Sequence, residues 1–313
     1  MSRETEKLMK ELENFLALHA DEVVDEESAN RLTNQFLQEH VIGRAVPGDA
    51  PPETADDYLD LADEAPSKKK RIAYLQKALE LEPDHVDAQL QLIFCTLEDK
   101  EDEQLPLLQA LLQKAAAQME EEGCFEEYMG DFWLAVETRP YMRVRHAYFH
   151  ALIACGMLRC AIDEGERLLE LCNNDNLGVR YSLMHLYACL EDELHALALH
   201  KQFEGREETQ MLLPLAALYY KLNQFDKAED YVRRLAAVNR DAKKFFRAAA
   251  ADKLEPLFEE MDPYGYRPGT MDELLGEALG NYYLFKSIPY FFRWASEFLR
   301  KTSPAGRKSS KKS

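Results

Sequence analysis

The stretch "PLAALYYKLNQFDKAEDYVRRLAAVNR", residues 214–240, decides the fold. Leu215, Ala216 and Tyr219 share one face of a helix, Asn223 interrupts it, and Ala228, Val232 and Leu235 resume the same spacing on a second helix. Small side chains at Ala216 and Ala228 let two antiparallel helices approach closely, while Tyr219 and Leu235 fill the space toward the next pair. A helix-turn-helix unit of about 34 residues cannot bury its apolar face alone, so the pattern predicts a stacked array. Moving upstream by 67 residues brings Gly156 under Asn223, Ala161 under Ala228 and Leu168 under Leu235. Phe149 falls where Ala216 sits, which requires the helices of that unit to be wider apart or rotated.

The string L-A-A-L-Y at 215–219 followed by Ala228 and Val232 resembles the tetratricopeptide pattern L-G-x-x-Y … A-x-x-x-F. Between the two matching units lies "NDNLGVRYSLMHLYACLEDELHALALHKQF", a middle unit with an acidic turn that lacks glycine. Upstream, Leu75, Ala78, Leu81 and Pro83 have the spacing of a second helix, its terminating proline and the next first helix. The intervening residues 101–136 read as helical but out of register. Amphipathic helices are expected at 3–18 and 26–40, and "GRAVPGDAPPETADD" breaks the pattern, giving a linker at 43–53. The organisation is therefore an N-terminal helical segment at 1–42, the linker, a repeat array at 54–240, a C-terminal helical cap at 241–301 and a disordered basic tail at 302–313. In the cap, Thr270 and Glu273 have the spacing of a capping box opening a helix over about 271–285. The fold class is all-α, a tetratricopeptide-like superhelix.

Four strings, "DDYLDLADEA", "KALELEPDHVDA", "FWLAVETRPYMRVR" and "NDNLGVRYSL", occur in that order. They are similar to a bacterial group of cytosolic tetratricopeptide-like proteins, sometimes described as related to the suppression-of-tumorigenicity family. The resemblance covers about residues 54–240, and "YGYRPGTMDELLGEALGNYYLFKSIP" resembles the group's closing segment. It implies a fold and a scaffold role and brings no catalytic residues with it. The chain departs from the group at Cys172, Asn173 and Asn174, where a proline-containing turn would be expected.

Composition narrows the function classes. With 38 Lys and Arg against 57 Asp and Glu, the net charge of −19 repels nucleic acid and anionic membrane over most of the surface. The exception is "RKTSPAGRKSSKKS", with six basic residues in the last fourteen and no acid. A tail of this kind without aromatics makes at best a weak, salt-sensitive contact to nucleic acid or to an acidic partner. No window approaches eighteen consecutive apolar residues, and acids interrupt the apolar residues of the first 27, so a cytoplasmic protein is expected. Six cysteines without paired C-x-x-C spacing read as small buried hydrophobes.

No nucleophile elbow, phosphate-binding loop or dinucleotide fingerprint is present, so no enzyme and no cofactor are expected. "NNDNLG" fails as a calcium loop, because Leu177 occupies a ligand position and Met184 replaces the terminal glutamate; Asn176 or Asp175 is the expected helix cap. His146 and His150 have the i, i+4 spacing of two metal ligands, but "AYF" between them offers no general base and no third ligand is placed, so metal ligation is not expected.

Against this acidic background, "AVETRPYMRVRHAYFHALIACG", residues 135–156, concentrates Arg139, Arg143, Arg145 and His146. If the first helix of each unit lines a concave surface, Arg143, His146 and His150, then Arg180, Tyr181 and Tyr187, then Tyr220 and Lys221 converge on one groove. Arginine forks and tyrosine rings there suit an extended or acidic peptide. Alternatively Arg139, Arg143 and Arg180 pair internally, with Glu137, Asp175 or neighbours, and fix the angle between units. The expected function is a non-catalytic protein-interaction scaffold with a protein or peptide partner. A second form of it is an adaptor or chaperone-like subunit whose acidic outer face holds a basic protein.

Overall fold

The computed structural model describes residues 3–38, 52–262 and 267–302. Apart from residues 52, 53 and 302, the expected linker and basic tail lie outside the described residues. The chain is all-α, and no strand occurs among the described residues. It divides into two compact units, Met1–Asn176 and Leu177–Ser313. This division falls inside the stretch whose repeat spacing suggests one continuous array. It coincides with a break in helix at 172–178, where Asp175 (φ 48°) and Gly178 (φ 72°) both turn left-handed.

The first unit contains α1 (Arg3–Leu18), α2 (Glu26–Phe36), α3 (Ala55–Asp63), α4 (Lys68–Leu81), α5 (Val86–Thr96), α6 (Glu101–Glu121), the single turn α7 (Cys124–Glu127), α8 (Arg139–Ala154) and α9 (Leu158–Leu171). Successive helices pack as hairpins: α3 on α4, α4 on α5, α5 on α6, and α8 on α9, with α8 also laid on α6. Leu59, Ala62, Leu75, Ala78 and Ala88 form a fully buried core around which Tyr58 and Tyr74 close. Each buried leucine contributes about 1.5–3 kcal/mol of transfer free energy. The second unit contains α10 (Val179–Cys189), α11 (Glu193–Gln202), α12 (Thr209–Lys221), α13 (Phe225–Val238), α14 (Ala242–Ala250), α15 (Glu255–Glu259), α16 (Met271–Gly280), α17 (Tyr282–Lys286) and α18 (Phe291–Thr302).

One device closes the hairpins. Gly156, Glu191 and Asn223 adopt φ of 73°, 62° and 59°, and in each case the next residue's N–H reaches back to a carbonyl five residues before it: Met157 to Leu152, Asp192 to Tyr187, Gln224 to Tyr219. This left-handed closure ties off carbonyls that the first helix leaves open. Five residues after each turn residue stands a fully buried alanine, Ala161, Ala196 or Ala228, where the second helix touches the first. Asp99 (φ 57°) occupies the same place between α5 and α6, and Leu111 is buried at the position of Leu168 and Leu235. Residues 101–121 are therefore in register after all. The pattern is hidden because Gln104 replaces the alanine; it is buried and its side-chain amide donates to the Leu97 carbonyl at 2.7 Å.

Two local expectations are corrected. The cap of α10 is Gly178 rather than Asn176 or Asp175, since the left-handed turn brings the chain into the helix without a side-chain acceptor. The capping box at Thr270 and Glu273 does not close. Glu273 instead accepts from the Gly269 N–H at 2.8 Å and lies 3.3 Å from the Asn239 amide nitrogen, while the Thr270 hydroxyl donates to the Arg267 carbonyl. Asn239, 1% exposed, also reaches Thr209 and the Thr270 carbonyl, so one side chain ties the end of α13 to the starts of α12 and α16. Gly269 permits this approach: its φ is 71°, and a Cβ there would lie 2.9 Å from the Val238 carbonyl oxygen. Around this knot Phe245, Phe246, Phe285, Phe291 and Phe292 pack ring against ring.

Because Ala216 and Ala228 are fully buried in the α12–α13 hairpin, Ala216→Leu or Ala228→Leu should destabilise the protein by about 1–3 kcal/mol through overpacking. Denaturant melts of the two variants measure this, and parental midpoints for both would contradict the packing described.

Candidate functional site

The first unit holds a cavity of about 270 Å³ at the meeting of α3, α5, α8 and the ends of α4 and α6, with Glu6 of α1 on its wall. Among the described residues, eight of the fourteen that line it are carboxylates, Glu6, Asp56, Asp60, Glu82, Asp84, Asp87, Glu122 and Glu137, and Arg143 and His85 are the basic ones. Local sequence explains this lining. "LEPDHVDA" carries the chain from the end of α4 at Leu81 through Pro83 to His85, the cap of α5, and a turn between two helices leaves its acids on the rim. His85 is the cap of α5: its Nδ1 accepts from the Ala88 N–H at 3.3 Å, which leaves Nε2–H to donate to Asp56 at 3.2 Å. Lys114 pairs with Asp84 at the edge.

Arg143 enters this cavity from α8. Its fork is bidentate on Asp87, Nε to Oδ1 at 2.8 Å and Nη2 to Oδ2 at 2.6 Å, and its remaining nitrogen bonds both oxygens of Glu6 at 3.0 Å. Such a charge-assisted fork orients its partners strongly. Arg139, one turn earlier and 2% exposed, donates Nε–H to the Trp133 carbonyl at 2.9 Å, contacts the Leu134 carbonyl and stands 3.4 Å from Glu6. Thr138, whose hydroxyl bonds the Phe132 and Ala135 carbonyls, folds the irregular segment 128–138 under these arginines. The string "ETRPYMR" thus builds a structural bracket, and the internal pairing considered for Arg139 and Arg143 occurs with Glu6, Asp87 and main-chain carbonyls rather than with Glu137. His146 and His150 follow on α8, half-buried and exposed respectively, with their Nε2 atoms 3.1 Å apart.

The other expected groove residues belong to the second unit, and each has internal partners. Arg180 lies over the rings of Tyr181 at 4.1 Å and Phe203 at 5.0 Å, and is 3.9 Å from Glu208, which also accepts from the Tyr181 hydroxyl at 3.0 Å. Lys221 bonds the Cys189 carbonyl at the end of α10 and stands 3.6 Å from Glu191, so it serves the closure of the neighbouring hairpin. Tyr220 packs among Phe225, Phe291 and Trp294 at centroid distances of 5.2–5.7 Å. Tyr187 is corrected from a contact surface to the interior: it is 4% exposed and stacks on His195. The sequence periodicity selected the inner faces of first helices, and in this unit the same faces are what the hairpins pack through.

The second unit also holds a buried pair that no sequence pattern marks. His185 is fully buried; its Nδ1–H donates to the Tyr181 carbonyl at 2.9 Å, which leaves the Nε2 lone pair facing Glu277 Oε2 at 3.5 Å. Burial lowers the His185 pKa to about 4. Burial, together with the nearby Glu273 charge, raises that of Glu277 to about 8. At neutral pH the pair is an uncharged imidazole facing a protonated carboxyl. His185 sits in an apolar run and Glu277 ninety-two residues later, so only the packed second unit brings them together.

Among the described residues no group of three or more His, Cys, Asp or Glu is arranged to hold a metal ion, and no helix is long and apolar enough to cross a membrane. No known family model matches the chain, and no curated protein matches it either.

The His185–Glu277 pair makes a pH dependence with a definite sign. His185 binds its proton more weakly folded than unfolded, so its contribution to stability rises with pH from about 4 to its ordinary 6.5. Glu277 binds its proton more tightly folded, so its contribution falls from its ordinary 4.5 to about 8. The two oppose each other at acid pH and leave a net loss of order 2 kcal/mol between about pH 6.5 and 8. Glu277→Gln should abolish that fall, as seen by comparing melting temperatures of parent and variant across the window; parallel curves would contradict the assignment.

Proposed function

We propose that this chain is a non-catalytic interaction scaffold that captures a basic segment of a protein partner in the acidic cavity of its first unit. The observation that carries the reading is the lining, eight carboxylates against Arg143 and His85, in a concavity large enough for one long cationic side chain. Arg143 is already bonded to Glu6 and Asp87, so it does not offer its fork to an acidic peptide. The reading therefore takes the form in which an acidic surface holds a basic protein, in preference to a basic groove that holds an acidic one. Guanidinium and ammonium groups pair with carboxylates through charge-assisted hydrogen bonds, and their methylene stems cover the apolar walls at Val86, Val136 and Pro140. The surplus of 57 acidic over 38 basic residues steers such a partner from a distance. Support for a non-catalytic role comes from the sequence, which holds none of the nucleophile or phosphate-binding motifs. A cytoplasmic location belongs to the same proposal.

Glu82 and Asp84 are exposed at the rim, so reversing their charge perturbs the cavity without loosening its walls. A Glu82→Lys, Asp84→Lys double variant should bind a short Lys/Arg-rich peptide about 2 kcal/mol more weakly than the parent, roughly thirtyfold, with a nearly unchanged melting temperature. The parent's affinity should also fall as salt is raised. Calorimetric titration at two ionic strengths measures both. Equal binding by the variant, or a preference of the parent for an Asp/Glu-rich peptide, would overturn the reading.

A further inference from the structure

The histidine pair of α8 lies outside the acidic cavity's lining and asks for its own account. Residues four apart on a helix stand one above the other on the same face, so His146 and His150 must face each other or diverge. They face each other. Their Nε2 atoms are 3.1 Å apart, with ring centroids at 4.4 Å and planes at 79°. Two metal–nitrogen bonds of about 2.0–2.1 Å that open at about 98° span that separation. This angle lies between the square-planar and tetrahedral values, so neither ring has to move far to share one ion.

We propose that His146 and His150 form a two-nitrogen chelate for one borderline divalent cation, of the copper, nickel or zinc type, with the ion's remaining positions open. The lack of a general base between the histidines and of a third ligand placed by sequence excludes a zinc hydrolase and a closed structural site, but not an open chelate. The donor set also selects the ion. Imidazole nitrogens alone, with no carboxylate joined to them among the described residues, discriminate against magnesium and calcium and favour the late first-row ions, copper most strongly.

Protonation does not stand in the way. Without metal, one Nε2–H donates to the other ring's Nε2, so a single hydrogen occupies the place of the ion. On binding, that hydrogen is exchanged through solvent for one on Nδ1 of the same ring; both imidazoles remain neutral and no net proton is lost. His150 is exposed, so the ion can enter from solvent and its open positions remain accessible to water or to an incoming ligand.

The test is calorimetric titration of the full, chelator-stripped chain with Cu²⁺, Zn²⁺ and Mg²⁺, beside His146→Gln and His150→Gln. One equivalent of Cu²⁺ and of Zn²⁺ should bind and Mg²⁺ should not. Each single substitution should weaken Cu²⁺ binding at least tenfold, and the spin-resonance spectrum of the parent's Cu²⁺ should carry the splitting of two equivalent nitrogens. Bound metal should raise the melting temperature of the parent and not that of the variants. Absence of a saturable single equivalent would overturn the proposal, as would Cu²⁺ affinity within twofold of the parent in both variants. Binding of the basic peptide should be the same in all three proteins, so failure here leaves the reading of the acidic cavity standing.

Discussion

The structure depends on how four of its described helix pairs are closed. A left-handed residue at Asp99, Gly156, Glu191 or Asn223 ends one helix, and five residues later the next helix touches it, through alanine in three hairpins and Gln104 in the fourth. The backbone conformation costs about 1 kcal/mol or more where the turn residue carries a Cβ, least for asparagine and more for glutamate. Burial of the facing helices offsets that cost, and the turn pairs carbonyls that the first helix leaves open. This constraint explains why Lys221 is directed to the end of α10: its ammonium satisfies the Cys189 carbonyl beside the turn at Glu191.

Charge is organised around the same frame. Arginines that enter a packed unit must bring partners with them, because an unpaired buried charge is far more costly than an exposed one. Arg143 meets Asp87 and Glu6, Arg139 meets main-chain carbonyls, Arg145 meets Glu164, and Arg180 meets the Tyr181 ring and Glu208. The cations of the basic stretch are thereby committed to the interior framework, and among the described residues carboxylates predominate in the lining of the first unit's cavity. The acidic lining of that cavity follows from this division of labour rather than from the net charge alone.

The second unit tolerates polar groups inside its core by two different means. Asn239 is saturated with hydrogen bonds and acts as a fastener between α12, α13 and α16. His185 and Glu277 are kept uncharged, which removes the Born cost of burial but makes their fit conditional on pH. Tyr220 of α12 packs against Phe291 and Trp294 of α18.

By itself the sequence determined the helical class, the hairpin of residues 214–240, its echo at 149–168 and the span of the first helix, because three-to-four-residue periodicity and turn residues are local signals. It also located the basic stretch and the histidine pair, since i, i+4 neighbours are legible along a single helix. Tertiary structure alone decided what those groups meet. Asp87 lies 56 residues from Arg143 and Glu6 lies 137 away, and no periodicity announces either pairing. The division at Asn176, the register hidden by Gln104, the burial of Tyr187 and the meeting of His185 with Glu277 are of the same kind. Each depends on which helix face packs against which neighbour, a choice made by the summed fit of many side chains distant in sequence.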